Sequence, residues 1–237
     1  METITDIRDL PDLSKDTIHI WGVHVPDVQD RYEALHAVLS AKEQEKAVRF
    51  RRTCDRQSSI AARGALRILL SGYIGIPPTD IKFNYSDNGK PNVVDSNVDF
   101  NVSHSADWVV LAFGRNRNIG VDIEKIKWGI DVCAIAVRYF SAEEQALIEN
   151  ANDKHTAFFQ LWARKESYVK ACGSTLFTEL GNFSVPSVDG KLPDVGEGNG
   201  WIFHRLEAGS KYAAAVVTDK PLASVPCYDF GGLKWDN

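Results

Sequence analysis

The chain has 237 residues, room for one large domain or two small ones, and its 44% hydrophobic and 25% charged content belongs to a chain that can bury a core. A formal net charge of −5 excludes the broad basic surface of a nucleic-acid binder, so any anionic ligand has to be met by local cations. The four cysteines, Cys54, Cys133, Cys172 and Cys227, contain no Cys-x-x-Cys pair and have no histidine at ligand spacing, which argues for reduced thiols over zinc or a disulfide framework.

Residues 18–25 alternate apolar and polar side chains and read as a strand, after which Pro26-Asp27 starts a helix carrying Tyr32, Leu35, Val38 and Leu39. Ser40 with Glu43 makes a capping box for a second helix. A third, at about residues 57–73, presents Ile60, Ala61, Leu66, Leu69, Leu70 and Tyr73, and Pro77-Pro78 ends the helical stretch. Strand-like runs follow at 81–85, 98–103, 108–114 and 119–126, with turn signals at Asp87-Asn88-Gly89 and at 115–118. Ser141 with Glu144 then opens a helix, and residues 156–172 form another that Gly173 caps, its apolar stripe being Phe158, Leu161, Trp162, Tyr168, Val169 and Cys172. The tail is again strand-like at 183–185, 201–205 and 213–218. Helices followed by strands occur twice, which predicts an α+β fold of two halves of similar plan, residues 1–116 and 117–237. The first residues lack the basic and apolar regions of a signal peptide, and the apolar runs are too short to span a bilayer, so a cytoplasmic protein without membrane contact is expected.

Two motifs carry chemistry. In Gly120-Val121-Asp122-Ile123-Glu124 the two acids share one face of a strand, and in the helix Trp162-Ala163-Arg164-Lys165-Glu166-Ser167-Tyr168-Val169-Lys170 the residues Glu166 and Lys170 lie one turn apart. Taken alone, Glu166 and Lys170 are a solvated ion pair worth a few tenths of a kcal/mol, and Asp122 and Glu124 are solvated acids on an edge strand. Taken together, three carboxylates suit a hard cation such as Mg²⁺, with Mn²⁺ as a substitute, that shares its shell with water and substrate phosphates. Asn101-Val102-Ser103-His104-Ser105 reads either as a polar strand end or as a phosphate contact. Asn88-Gly89-Lys90-Pro91 is a hairpin turn that also offers backbone N–H groups and an ammonium to an anion. Lys42, Lys46, Arg49, Arg51, Arg52 and Arg56 form either a solvated basic face or a second phosphate contact.

These motifs, in this order and approximate spacing, resemble the 4′-phosphopantetheinyl transferases of the surfactin-synthetase-activating type over most of the chain. The resemblance implies two pseudo-symmetric α+β halves with the active site in the cleft between them. It implies a holo-[acyl-carrier-protein] synthase that moves the phosphopantetheine arm of coenzyme A to a serine of an apo acyl or peptidyl carrier protein and releases 3′,5′-ADP; two halves that build the cleft within one chain fit a monomer. It implies Mg²⁺ at Asp122, Glu124 and Glu166, with Lys170 beside the pyrophosphate; in such a site Glu166 can serve as the general base, directly or through a metal-bound water. Coenzyme A contacts are implied at Lys46, Gly89, Lys90, Pro91, Ser103, His104, Asp122 and Lys170. The chain departs from the family's pattern in its basic segment: Lys46 aligns, Lys42 stands one position early, and Ser58 stands where an arginine is expected, with Arg56 two positions away. Two other readings compete, a catalytically silent scaffold for coenzyme A or a carrier protein and a Mg²⁺-dependent nucleotide hydrolase. In the resemblance, residues 125–151 border the carrier protein, with Lys125, Lys127 and Arg138 as rim charges.

Overall fold

The computed structural model describes residues 4–174 and 183–234. In chain order the elements are β1 (His19–His24), α1 (Tyr32–Ala37), α2 (Ala41–Val48), α3 (Thr53–Ile74), β2 (Phe83–Tyr85), β3 (Pro91–Val93), β4 (Val98–Ser105) and β5 (Trp108–Arg115). There follow β6 (Ile119–Lys125), α4 (Val132–Tyr139), α5 (Ala142–Glu149), α6 (Lys154–Cys172), β7 (Val195–Gly198), β8 (Trp201–Leu206), β9 (Tyr212–Thr218) and β10 (Cys227–Asp229). Among the described residues no helix is long and apolar enough to cross a membrane. All four cysteines are free thiols.

The α+β expectation holds, and the chain forms two compact units. The first comprises Met1–Ser86, Pro91–Asn116 and Leu222–Asn237; the second comprises Asp87–Lys90 and Arg117–Pro221. The chain passes into the second unit after Asn116 and returns after Pro221, so the tail that the sequence pattern puts with the second half packs with the first. The reason is a parallel pairing of β10 with β1.

In the first unit a sheet of order β10-β1-β5-β4 packs against α3, whose Ile60, Leu66, Leu69 and Leu70 are buried with Trp21, Leu111 and Phe113. α3 begins four residues before the predicted start and ends at Gly75, which takes the left-handed conformation, φ 70°, that a C-terminal cap favours. Ser40 and Glu43 form the predicted capping box of α2. Within the core, Trp21 Nε1 donates to Tyr73 Oη at 2.9 Å, and Tyr73 Oη and His19 Nδ1 share a hydrogen bond at 2.9 Å. Burial pushes His19 down to about 4 and Tyr73 upward, so both stay neutral at pH 7.

In the second unit the sheet order is β6-β9-β8-β7, antiparallel throughout. Gly120, Asp122 and Glu124 pair with Val217, Ala215 and Ala213, and directly paired residues share a face. That face carries α6, whose Phe158, Phe159, Leu161 and Ala163 pack with Ala213, Ala215, Val217 and Phe203. The acids of β6 thus lie on the helix side of an edge strand, and Asp122, 3% exposed, is not a solvated acid.

Two expectations are corrected. Residues 183–185 are not a strand: the carbonyl of Phe183 accepts from Lys165 Nζ at 2.8 Å and the N–H of Val185 donates to Glu144 Oε1 at 2.8 Å, so side chains take the groups a sheet would use. Residues 125–151 hold two helices, α4 and α5; Ile126, Val132, Phe140 and Ile148 are core, whereas Trp128 is 60% and Val137 69% exposed. Cys172 is exposed, because it falls in the last turn of α6 beyond the packed stripe.

Candidate active site

The site grows from a close approach of helix to strand. Gly120 opens β6 directly beneath α6: a Cβ at this position would sit 1.8 Å from the carbonyl oxygen of Ser167 and 2.4 Å from the amide nitrogen of Ala171. Only a residue without a side chain lets the helix backbone come this near. Ser167 completes the seam, its Oγ lying 2.7 Å from Ala163 O and 2.9 Å from Ala215 O on β9. With Ser167 turned to the sheet, its neighbour Glu166 and the residue one turn on, Lys170, are carried beside β6.

Lys170 Nζ donates to Asp122 Oδ1 at 2.7 Å and to the carbonyl of Val121 at 3.2 Å. Glu166 is half-buried, and its carboxyl is pushed up to about 7, first by burial and then by the charge of Asp122; Lys170 pulls the other way and Glu124 adds to the rise. The three acids named from the sequence are therefore within electrostatic reach of one another, with one lysine among them. Among the described residues no group of three or more His, Cys, Asp or Glu side chains stands ready-formed as a metal site, and Asp122 is turned to Lys170 instead. The donor set nevertheless fits a hard cation in its chemistry: oxygen donors only, and mutually repelling negative charge that a divalent ion relieves.

Other predicted residues are placed as follows. Gly89, at φ 79°, forms the turn between β2 and β3, and Lys90 points its ammonium to the carbonyls of Ile119 and Ala171 at 3.0 and 3.1 Å. Both belong to the second unit, with Asp122, Glu124, Glu166 and Lys170. Lys46, Pro91, Ser103 and His104 belong to the first unit. There Lys46 is exposed on α2 and Pro91 starts β3. The Asn101 to Ser105 segment does not merely end a strand but runs to the end of β4, with Asn101 and Ser103 buried and His104 exposed.

Sequence reasoning missed one arrangement at the site. Lys165 and Glu144 form an ion pair at 3.0 Å with both side chains buried, 0% and 1% exposed. Glu144 also accepts from Ser141 N and Val185 N. The acid carried a visible signal, its capping-box spacing, but that spacing says nothing of a lysine twenty-one positions on.

The sequence profile described as the 4′-phosphopantetheinyl transferase superfamily matches residues 118–218, and the one described as 4′-phosphopantetheinyl transferase, N-terminal, matches residues 26–115. The chain is 35% identical to the 4′-phosphopantetheinyl transferase HetI of Nostoc sp., over 68% of this chain and 70% of that protein. This chain belongs to the 4′-phosphopantetheinyl transferase superfamily. It is also 33% identical to the transferase Sfp of Bacillus subtilis, over 70% of this chain and 75% of that protein. The similarity extends to a mammalian member, the L-aminoadipate-semialdehyde dehydrogenase-phosphopantetheinyl transferase of Mus musculus, at 28% over 77% and 68%. The two profiles divide the chain near the point where it passes from one unit to the other.

Proposed function

We propose that the protein transfers the 4′-phosphopantetheine arm of coenzyme A to a serine hydroxyl of an apo carrier protein. The observation that carries this reading is the gathering of Asp122, Glu166 and Lys170 at the C-terminal half of α6 in a chain of this superfamily. In the reaction the serine oxygen forms a bond to the β-phosphorus of the coenzyme A pyrophosphate. The bond from that phosphorus to the bridging oxygen breaks, and 3′,5′-ADP leaves with the bond's electrons. The serine proton goes to Glu166, directly or through a water. Lys170 holds positive charge beside Asp122, where charge on a phosphoryl oxygen can be met.

Asp122, Glu124 and Glu166 are assigned as the holders of Mg²⁺, for which Mn²⁺ can substitute. When bound, the ion supplies Lewis-acid stabilisation of the phosphoryl oxygens. To the nucleotide end of coenzyme A we assign, by resemblance, Lys46, Gly89, Pro91, Ser103 and His104, with the backbone of Lys90. For the carrier protein we assign the exposed side chains around Trp128, with Lys125 and Lys127 beside it.

Intact-mass analysis of a panel of apo carrier proteins with coenzyme A and Mg²⁺ tests the reading: a gain of one phosphopantetheine per carrier is expected. Free phosphopantetheine without carrier modification identifies a hydrolase, and tight coenzyme A binding with no product identifies a scaffold. Asp122→Ala and Glu166→Ala are each expected to abolish nearly all transfer while thermal unfolding shows a retained fold. Normal turnover at limiting Mg²⁺ in either variant removes the three-carboxylate assignment.

A further inference from the structure

The last turn of a helix leaves carbonyls without intrahelical partners, and in α6 these are met in an uneven way. Gly173 adopts the left-handed conformation at φ 64°, and its N–H donates to Lys170 O while Ser174 N donates to Val169 O, each at 3.2 Å. The carbonyl of Ala171 is reached instead by Lys90 Nζ at 3.1 Å, and the carbonyl of Gly173 by Asn88 Nδ2 at 2.8 Å. The same ammonium donates to Ile119 O at 3.0 Å, at the first residue of β6. Lys90 thereby joins helix and strand on one side of the Gly120 contact, as Lys170 does on the other through Val121 O and Asp122. A cation at a helix C-terminus is also stabilised by the helix dipole. The aliphatic stem follows the cap: a Cβ on Gly173 would meet Lys90 Cδ at 3.6 Å.

We propose that Lys90 serves the reaction as a positioning residue: its ammonium, with Asn88, clamps the last turn of α6 to β6 and so holds Glu166 and Lys170 in register with Asp122. A lysine in a turn beside a phosphate-binding backbone reads from sequence as a phosphate contact. Two of the three ammonium protons are directed to main-chain carbonyls here, so the side chain acts through the helix and the turn is left its backbone N–H groups for an anion. The kinetic arm of the test rests on the transferase reading given above; the exchange arm does not.

The experiment compares Lys90→Met, Lys90→Arg and Asn88→Ala with the parent, using the full chain. Hydrogen exchange without coenzyme A is expected to rise roughly tenfold or more at the amides of the last turn of α6 in Lys90→Met, as fits the loss of a charged donor, with the rest of the chain unchanged. Lys90→Arg, which can donate to both carbonyls, is expected to restore most of the protection. In steady-state transfer, Lys90→Met should lower kcat by about tenfold or more and leave KM for coenzyme A within about twofold. Asn88→Ala should move both readouts in the same direction by less, and it carries the test should Lys90→Met fail to fold. A raised KM with kcat kept and unchanged exchange makes Lys90 a direct phosphate contact and overturns the proposal, as does unchanged exchange in Asn88→Ala. A parent that yields no holo carrier sinks the transferase reading, while the exchange arm still decides whether the clamp exists.

Discussion

Gly120→Ala is the sharpest probe of how the site is built. The added Cβ would lie 1.8 Å from Ser167 O, 2.4 Å from Ala171 N and 2.9 Å from Ser167 C. Favourable non-bonded contact needs about 3.5 Å or more, so α6 and β6 must part by ~1–2 Å at this point. Every atom in the way is main chain, so no side-chain rotation relieves the clash. Overpacking of this kind costs about 1–3 kcal/mol and sometimes more, and the rigid obstacle puts this case at the upper end. For a chain of this size about 3 kcal/mol corresponds to a fall of roughly 6–12 °C in apparent Tm.

Function should suffer more than stability. The helix that must retreat carries Glu166 and Lys170, and the 2.7 Å contact of Lys170 with Asp122 spans the gap that opens. A displacement of about 1 Å costs roughly a hundredfold in rate. The assay is thermal unfolding by circular dichroism together with carrier modification by intact mass, run at a temperature where the variant remains folded. Parent-like Tm and turnover within twofold of the parent would refute the close-approach argument. A lowered Tm with full activity below it would show that helix position does not govern the chemistry.

Three further outcomes are expected. Lys165→Met leaves Glu144 buried without its cation and should cost about 3–5 kcal/mol in chemical denaturation, and in a double-mutant cycle with Glu144→Gln, which keeps an acceptor for Val185 N, the losses should be less than additive; additive losses would mean that the two groups do not act as a pair. His19, neutral in the fold at about 4 against 6.5 in the open chain, contributes stability that is complete above pH 6.5 and is lost as pH falls toward 4. At pH 4.5 that loss is about 2–3 kcal/mol, and His19→Phe should flatten this part of the stability profile; an unchanged slope would place the acid sensitivity elsewhere. Charge reversal at the exposed Lys125 and Lys127 should raise KM for the carrier, with a weaker salt dependence, and leave KM for coenzyme A nearly unchanged; movement of both constants, or of neither, would put carrier docking elsewhere.

What could be read from the sequence was what nearest neighbours decide. The capping boxes at Ser40 and Ser141, the glycine cap of α6 and the strand runs of β1, β5 and β6 each rest on residues within a few positions, and each recurs in the fold. The short strands β3, β7 and β10 escaped because three or four residues carry too little periodicity, and β10 exists only through a partner two hundred positions away. Residues 183–185 misled for the opposite reason: an apolar alternation was present, but distant side chains took the backbone groups. The site divides along the same line. Asp122, Glu124, Glu166 and Lys170 were legible as a set because strand and helix periodicities orient them, whereas the geometry that unites them is non-local. It depends on a glycine whose reason is a helix forty-seven residues further on, and on lysines at 90 and 170 that join that helix to β6 from either side. A site can therefore keep all three carboxylates and Lys170 and still lose its chemistry when one of these contacts fails, and that is why the variants at Gly120 and Lys90 discriminate better than removal of a carboxylate.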